Sequence, residues 1–217
     1  MVQGLQARRG AELWKSLQGT ARVAVADDLV EKSMDIGLEV SPPLPHGLEG
    51  TSLGYVVALT VFEPGERERF VFASDVQGPL SAVAAGYIVR QRPTLLYLAG
   101  PPSYVQHEVG AAVIDRAIDH LMRIVETTGC RVIMDHHALR DVAWRERFAP
   151  LWDTGRVTTA AAYVGVAETA LEPRRAELWG RARKPLAASG VARLPTSVRS
   201  RLSASPTRRK LAKGGLP

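Results

Sequence analysis

The chain of 217 residues is short of cysteine, of aromatic residues and of long apolar runs. Its one cysteine, Cys130, excludes an internal disulfide framework and a cysteine-based zinc cluster. The longest apolar stretch, Ala82 to Val89, is far too short to span a bilayer. The N-terminal residues up to Arg9 have no apolar core of a signal peptide. A soluble cytoplasmic protein without membrane partners is the expectation. Neither GxGxxG nor GxxxxGK[ST] occurs, so no local motif speaks for dinucleotide or nucleotide phosphate binding. HExxH and HxHxDH are absent, and Ser74 lacks the GxSxG context of a hydrolase nucleophile.

What the chain has in excess is positive charge, and its location matters. Residues 181–217 contain ten Lys/Arg and no Asp/Glu. The remaining residues hold 18 basic and 22 acidic side chains, so the body is net −4 while the whole chain is +6. The tail is rich in Ser, Pro, Gly and Ala and has no aromatic residue, a composition that cannot bury enough apolar area to offset its ordering entropy. It reads as disordered. Such a tail either makes weak contact with nucleic acid or is a solvated extension.

The body reads as mixed α/β. Helical spacing covers 6–18, with Gly19 as its stop. Strands are expected at 36–40, 53–62 and 69–74. The last two flank Glu63-Pro-Gly-Glu and form a hairpin. A helix at 80–90 and a strand at 95–98 follow. Between Val105 and Thr128, apolar residues fall at 109, 113, 114, 117, 118, 121, 124 and 125, a long helix capped by Gly129. Residues 131–134 read as a buried strand, and short helices are expected near 140–149, 158–164 and 168–179. The body thus spans 1–180 and the tail 181–217. Strands alternating with helices after residue 75 point to a layered sheet.

Three strands end in residues able to bind a metal: His46 in Pro45-His-Gly, Asp75 after Phe70-Val-Phe, and His136 with His137 after Val132-Ile-Met. Strand ends in a layered sheet share an edge, where ligand sites form. Imidazole and carboxylate suit Zn, Mn or Fe. Asp135 is placed to orient a neighbouring imidazole. The competing reading is that an Asp after a strand forms a turn or caps a helix. His107 and His120 read as solvated surface on the long helix. Cys130 reads as a buried, inert thiol.

Four segments, Pro43-Leu-Pro-His-Gly-Leu-Glu-Gly-Thr-Ser-Leu-Gly-Tyr, Phe70-Val-Phe-Ala-Ser-Asp-Val-Gln-Gly-Pro, Gly100-Pro-Pro-Ser-Tyr and Asp135-His-His-Ala-Leu-Arg-Asp, resemble an archaeal family of metallo-β-lactamase-fold proteins. The resemblance runs from about residue 5 to residue 179. It implies an αββα sandwich and a hydrolase holding two metal ions, zinc first, whose metal-bound hydroxide attacks an ester or phosphodiester. Carried over, the ligands are His46, Asp75 and His136, with Asp75 and His136 at the reacting centre. Asp135, His137, Arg140 and Asp141 fall to supporting or substrate-holding roles, and the Arg140 guanidinium suits an anion. In that superfamily an N-terminal His-x-His-x-Asp-His motif supplies further ligands, and this chain lacks it. The resemblance therefore implies a C-terminal portion, inactive alone and prone to aggregate through exposed sheet surface. The alternative is a non-catalytic fragment or a nucleic-acid-binding module using the basic tail.

Overall fold

A turn at Glu63–Glu66, closed by the Glu66 amide on the Glu63 carbonyl at 3.1 Å, reverses the chain between its central strands. A computed structural model describes residues 11–21, 26, 29–32 and 35–183. The chain divides into two units, Met1–Glu177 and Leu178–Pro217. Most of the basic tail, from residue 184 on, lies outside the described residues.

The first unit opens with α1 (Ala11–Thr20), β1 (Val30–Lys32) and β2 (Gly37–Val40). A two-stranded ladder of β3 (Leu44–Pro45) and β4 (Tyr55–Val56) follows. Then come β5 (Leu59–Phe62), β6 (Arg69–Gln77), α2 (Ala82–Gln91) and β7 (Leu95–Gly100). A 3₁₀ turn (Ser103–Val105), α3 (Gln106–Val109) and α4 (Ala111–Thr128) lead to β8 (Arg131–Met134). Another 3₁₀ turn (Ala138–Arg140), α5 (Trp144–Arg147) and α6 (Ala149–Trp152) lead to β9 (Val157–Thr159) and α7 (Ala160–Tyr163). A 3₁₀ turn (Glu172–Arg174) precedes α8 (Arg175–Arg183), which crosses the boundary between the units.

Seven strands form one sheet in the order β1-β2-β5-β6-β7-β8-β9. The pairs up to β6 are antiparallel, and β6 to β9 run parallel. Parallel neighbours need helical crossovers, which α2 and α4 supply. On the helix-covered face Val71, Ala73, Leu96, Leu98, Val132 and Met134 are all 0% exposed. The amphipathic α4 lays Ile114, Ala117, Leu121, Ile124 and Val125 toward this core. Gly129 ends α4 in a left-handed conformation with its amide on the Val125 carbonyl, as its position in the sequence implies.

The other face of the sheet is different. Registers align Leu38, Val61, Phe70 and Leu95 in one row, and Val40, Leu59, Phe72, Tyr97 and Ile133 in the next. Phe72 stacks on Tyr97 at 5.2 Å, yet Phe72 is 42% exposed and Leu38 39%.

Several expected elements take other forms. The strand over 53–62 is broken into β4 and β5, because the Ala58 amide goes to the Ser41 hydroxyl instead of a backbone carbonyl, while its carbonyl accepts from the Ser41 amide. The long helix is split at Gly110, whose φ of 92° is not helical. The helix near 158–164 is half strand: Val157–Thr159 pairs with β8, and only Ala160–Tyr163 after it is helical. The helix over 168–179 begins only at a 3₁₀ turn at Glu172. Gly19 lies inside α1, which runs on to Thr20. The mixed α/β class stands, with one main sheet.

Candidate active site

The parallel strands β6, β7, β8 and β9 end together, and the chain segments beyond them interlock. The Gln77 amide donates to the His46 carbonyl at 3.3 Å, and Gln77 pairs with Gly100 in register. The Asp135 amide donates to Leu98 and the His137 amide to Ala99, at 3.0 and 2.9 Å. Gly100 makes this approach feasible. Its φ is +79°, and a Cβ there would sit 2.6 Å from both the Ala138 Cβ and the Met134 Cγ. Two separate segments, one carrying His46 and the other Asp135, His136 and His137, are thus brought to one edge, anchored on the ends of β6 and β7.

The imidazoles of His136 and His137 have centroids 4.6 Å apart. His136 is about a third exposed, with Nδ1 3.9 Å from Asp135 Oδ2. Asp135 instead accepts a hydrogen bond from the Tyr97 hydroxyl. Burial, together with that carboxylate, pushes the Tyr97 phenol above its ordinary range, so it stays protonated and donates.

His137 is buried, and burial lowers its pKa to about 4; the charges of His136, Arg140 and His46 push in the same direction. Its Nδ1 lies 3.1 Å from the Tyr104 hydroxyl, whose oxygen accepts from Arg140 Nη1 at 2.9 Å. Because Arg140 only donates, the phenol hydrogen is free for Nδ1, which assigns the ring proton to Nε2. Arg140 also stacks over the Tyr104 ring at 5.3 Å, and its buried Nε has no hydrogen-bond partner.

Asp141 is turned inward. Its carboxylate accepts from Ser103 Oγ (2.7 Å), Arg147 Nε (2.8 Å) and the Ala143 amide (2.9 Å). Burial alone would raise its pKa, but these donors outweigh it and the group titrates below its ordinary value. Asp141 therefore ties the Ser103 turn to α5. Asp75 is exposed, in the stretch between Ala73 and Gln77 where the β6–β7 register shifts.

The donor types fit a divalent ion, but among the described residues no group of three or more His, Cys, Asp or Glu comes together closely enough to hold one. The set His46, Asp75 and His136 does not close around an ion in this arrangement.

His107 is surface, beside Glu108. His120 is not simply solvated: it is half-buried and its Nδ1 donates to the Pro79 carbonyl at 2.9 Å. The Cys130 thiol is 1% exposed, and burial pushes its pKa up.

Beside His136 the edge opens into a cleft of about 240 Å³. Asp135, His136, Thr159, Glu168 and Glu172 contribute its polar rim, and Leu139, Trp144, Ala161, Ala170 and Leu171 its apolar wall. Thr159 Oγ1 donates to Glu168 at 2.7 Å, and Arg145 pairs with the same carboxylate. Tyr97, Thr159 and Glu168 were not legible as site residues, since none sits in a local motif; Tyr104 closes the Gly100-Pro-Pro-Ser-Tyr segment, but nothing in that segment gave its hydroxyl a role. The strand ending at Thr159 was the one signal, and it was hidden in an alanine-rich run that reads as helix.

Among the described residues, no helix is long and apolar enough to cross a membrane. No family model matches the chain. The chain is 38% identical over 189 residues to a UPF0282 protein of Pyrobaculum islandicum, covering 84% of this chain and 59% of that protein. It is 36% identical over 180 residues to one of Pyrococcus furiosus, covering 82% and 56%. A third, from Methanopyrus kandleri, is 38% identical over 145 residues, covering 66% and 48%. Over most of its own length the chain is therefore similar to archaeal proteins named UPF0282, and it spans between about half and three fifths of the length of these relatives.

Proposed function

We propose that this edge of the sheet is the reacting end of a hydrolase that splits an ester, a phosphodiester first among them, with a divalent ion, zinc first, completing the site. The observation that carries the reading is the delivery of His46, Asp135, His136 and His137 to one edge by separate chain segments. Ligand sites in open α/β sheets form at such carboxyl ends. An ion here needs donors beyond those that converge in this arrangement. The chain's own residues supply other parts. His136 is accessible and placed to move a proton. Arg140, held by Tyr104 beside the histidine pair, suits a single negative charge on the reacting group. In the reaction the oxygen of water adds to phosphorus or acyl carbon. The ester bond breaks, its electron pair goes to the leaving oxygen, and a proton from water ends there. The finer architecture belongs to the same proposal: an αββα sandwich in a cytoplasmic enzyme, with the apolar face of Phe72 and Leu38 turned toward a second sheet.

The test is hydrolysis of bis(p-nitrophenyl) phosphate and p-nitrophenyl acetate by the chain and by a form lengthened with the His-x-His-x-Asp-His segment that the resemblance implies, each with and without added zinc or manganese, turnover being expected of the lengthened form. His136→Ala is expected to lower the rate by about 10²-fold or more. Absence of turnover above buffer, or an unaffected His136→Ala variant, overturns the proposal.

A second reading rests on the ten cations of residues 181–217, which carry no acidic counterpart. It makes the chain a nucleic-acid binder whose affinity falls steeply with salt. Filter binding at two salt concentrations, with and without residues 181–217, tests it. Equal binding by both forms sinks this reading.

A further inference from the structure

The cleft beside His136 has a composition that the hydrolytic reading does not use. Five apolar side chains, Leu139, Trp144, Ala161, Ala170 and Leu171, form its wall. Its acidic residues are already engaged. Glu168 is paired with Arg145 and accepts from Thr159, and Glu172 pairs with Arg175 at 3.2 Å. Asp135 accepts from Tyr97. Among the described residues no Lys or Arg lines the cleft. A polyanionic chain would meet carboxylates there and no unspent cation. At about 240 Å³ the cleft falls just below the range that takes whole drug-sized ligands, so it suits a single ring or a short branched alkyl group.

We infer that this cleft seats an uncharged, apolar substituent of the substrate, the size of one aromatic ring, next to the scissile ester at His136. The substrate class is an aryl or alkyl ester, or a phosphodiester with a single charge, and not an oligonucleotide. The inference rests on the hydrolytic reading of this edge, and its test keeps the two apart.

Binding of naphthol to the full chain is measured by titration calorimetry and by tryptophan fluorescence, for the native chain and for Ala161→Trp and Leu171→Asp. The first substitution fills the cleft. The second puts a charge at its mouth, at a side chain already 57% exposed, so folding is not burdened. Each variant is expected to weaken naphthol binding about tenfold, with circular dichroism unchanged. In turnover, KM is expected to rise for p-nitrophenyl esters while that for methyl esters stays put. Unchanged naphthol binding in both variants, or a dinucleotide that binds the native chain as tightly as naphthol does, overturns the inference. Naphthol binding that the variants weaken, without hydrolysis of any ester, overturns the hydrolytic reading and leaves the apolar seat standing. Hydrolysis without naphthol binding does the reverse.

Discussion

At the scale of residues, His137 illustrates how position and not composition sets chemistry. Composition and spacing do not separate it from His136, and only the family resemblance gave the two different roles; burial holds its pKa near 4 while its neighbour is about a third exposed. The unfolded ring titrates near 6.5, so between about pH 6.5 and pH 4 the unfolded chain binds the extra proton and stability falls as pH falls. The expected loss is on the order of 2 kcal/mol across that window, allowing for partial screening. Urea unfolding at pH 4.5 and pH 7.5 is expected to show this loss in the native chain and a smaller one in His137→Gln. An equal pH effect in both would show that His137 is not the group responsible. Asp141 makes a second residue-scale prediction. Asp141→Ala leaves the buried Ser103 hydroxyl without its acceptor and takes one acceptor from Arg147, which keeps Gln106, at about 2 kcal/mol. Unfolding midpoints for this variant should drop well beyond those for Ser103→Ala. The sequence indicated that Asp141 belongs to the site region but not that its carboxylate faces inward, because that direction is set by donors 38 positions away and on the next helix.

At the scale of elements, the end of β7 governs the edge. The Ala138–Arg140 turn rests against Gly100, and both its neighbours, Met134 and Ala138, would collide with any Cβ there. Gly100→Ala combines a left-handed strain with overpacking and is expected to destabilise by about 3 kcal/mol. It should also displace Asp135, His136 and His137 together. Histidine nitrogen chemical shifts by NMR are the direct check: shifts identical to the native chain would show that Gly100 does not set the edge. The hairpin, the strand at 95–98, the long helix and its Gly129 cap were legible, because periodicity and turn residues are local signals. The break at Val57 and Ala58, the split at Gly110 and strand β9 were not. The first and last depend on a partner distant in sequence, Ser41 for Ala58 and β8 for the three residues of β9; the split at Gly110 is a local glycine at positive φ inside an otherwise continuous apolar period.

For the molecule as a whole, the sheet is covered by helices on one side and carries rows of apolar side chains on the other. Phe72 and Leu38, 42% and 39% exposed, mark that second face. A surface of this kind associates. The chain is expected to bind an apolar dye and to self-associate with rising concentration. Phe72→Lys with Leu38→Lys should reduce both without lowering the unfolding midpoint by more than about 1 kcal/mol. Sedimentation at two concentrations decides, and association equal in both proteins would move the interface elsewhere. By itself the sequence determined the mixed α/β class, the acidic body with its basic tail, the buried Cys130 and the identity of the strand-end histidines, since all of these follow from composition, period and spacing. The tertiary structure alone decided which of those side chains meet. It set His137 against Tyr104 and Arg140, turned Asp141 inward, left Asp75 exposed and opened the cleft beside His136. Those outcomes depend on strand order and on contacts between segments far apart along the chain, which no local pattern encodes.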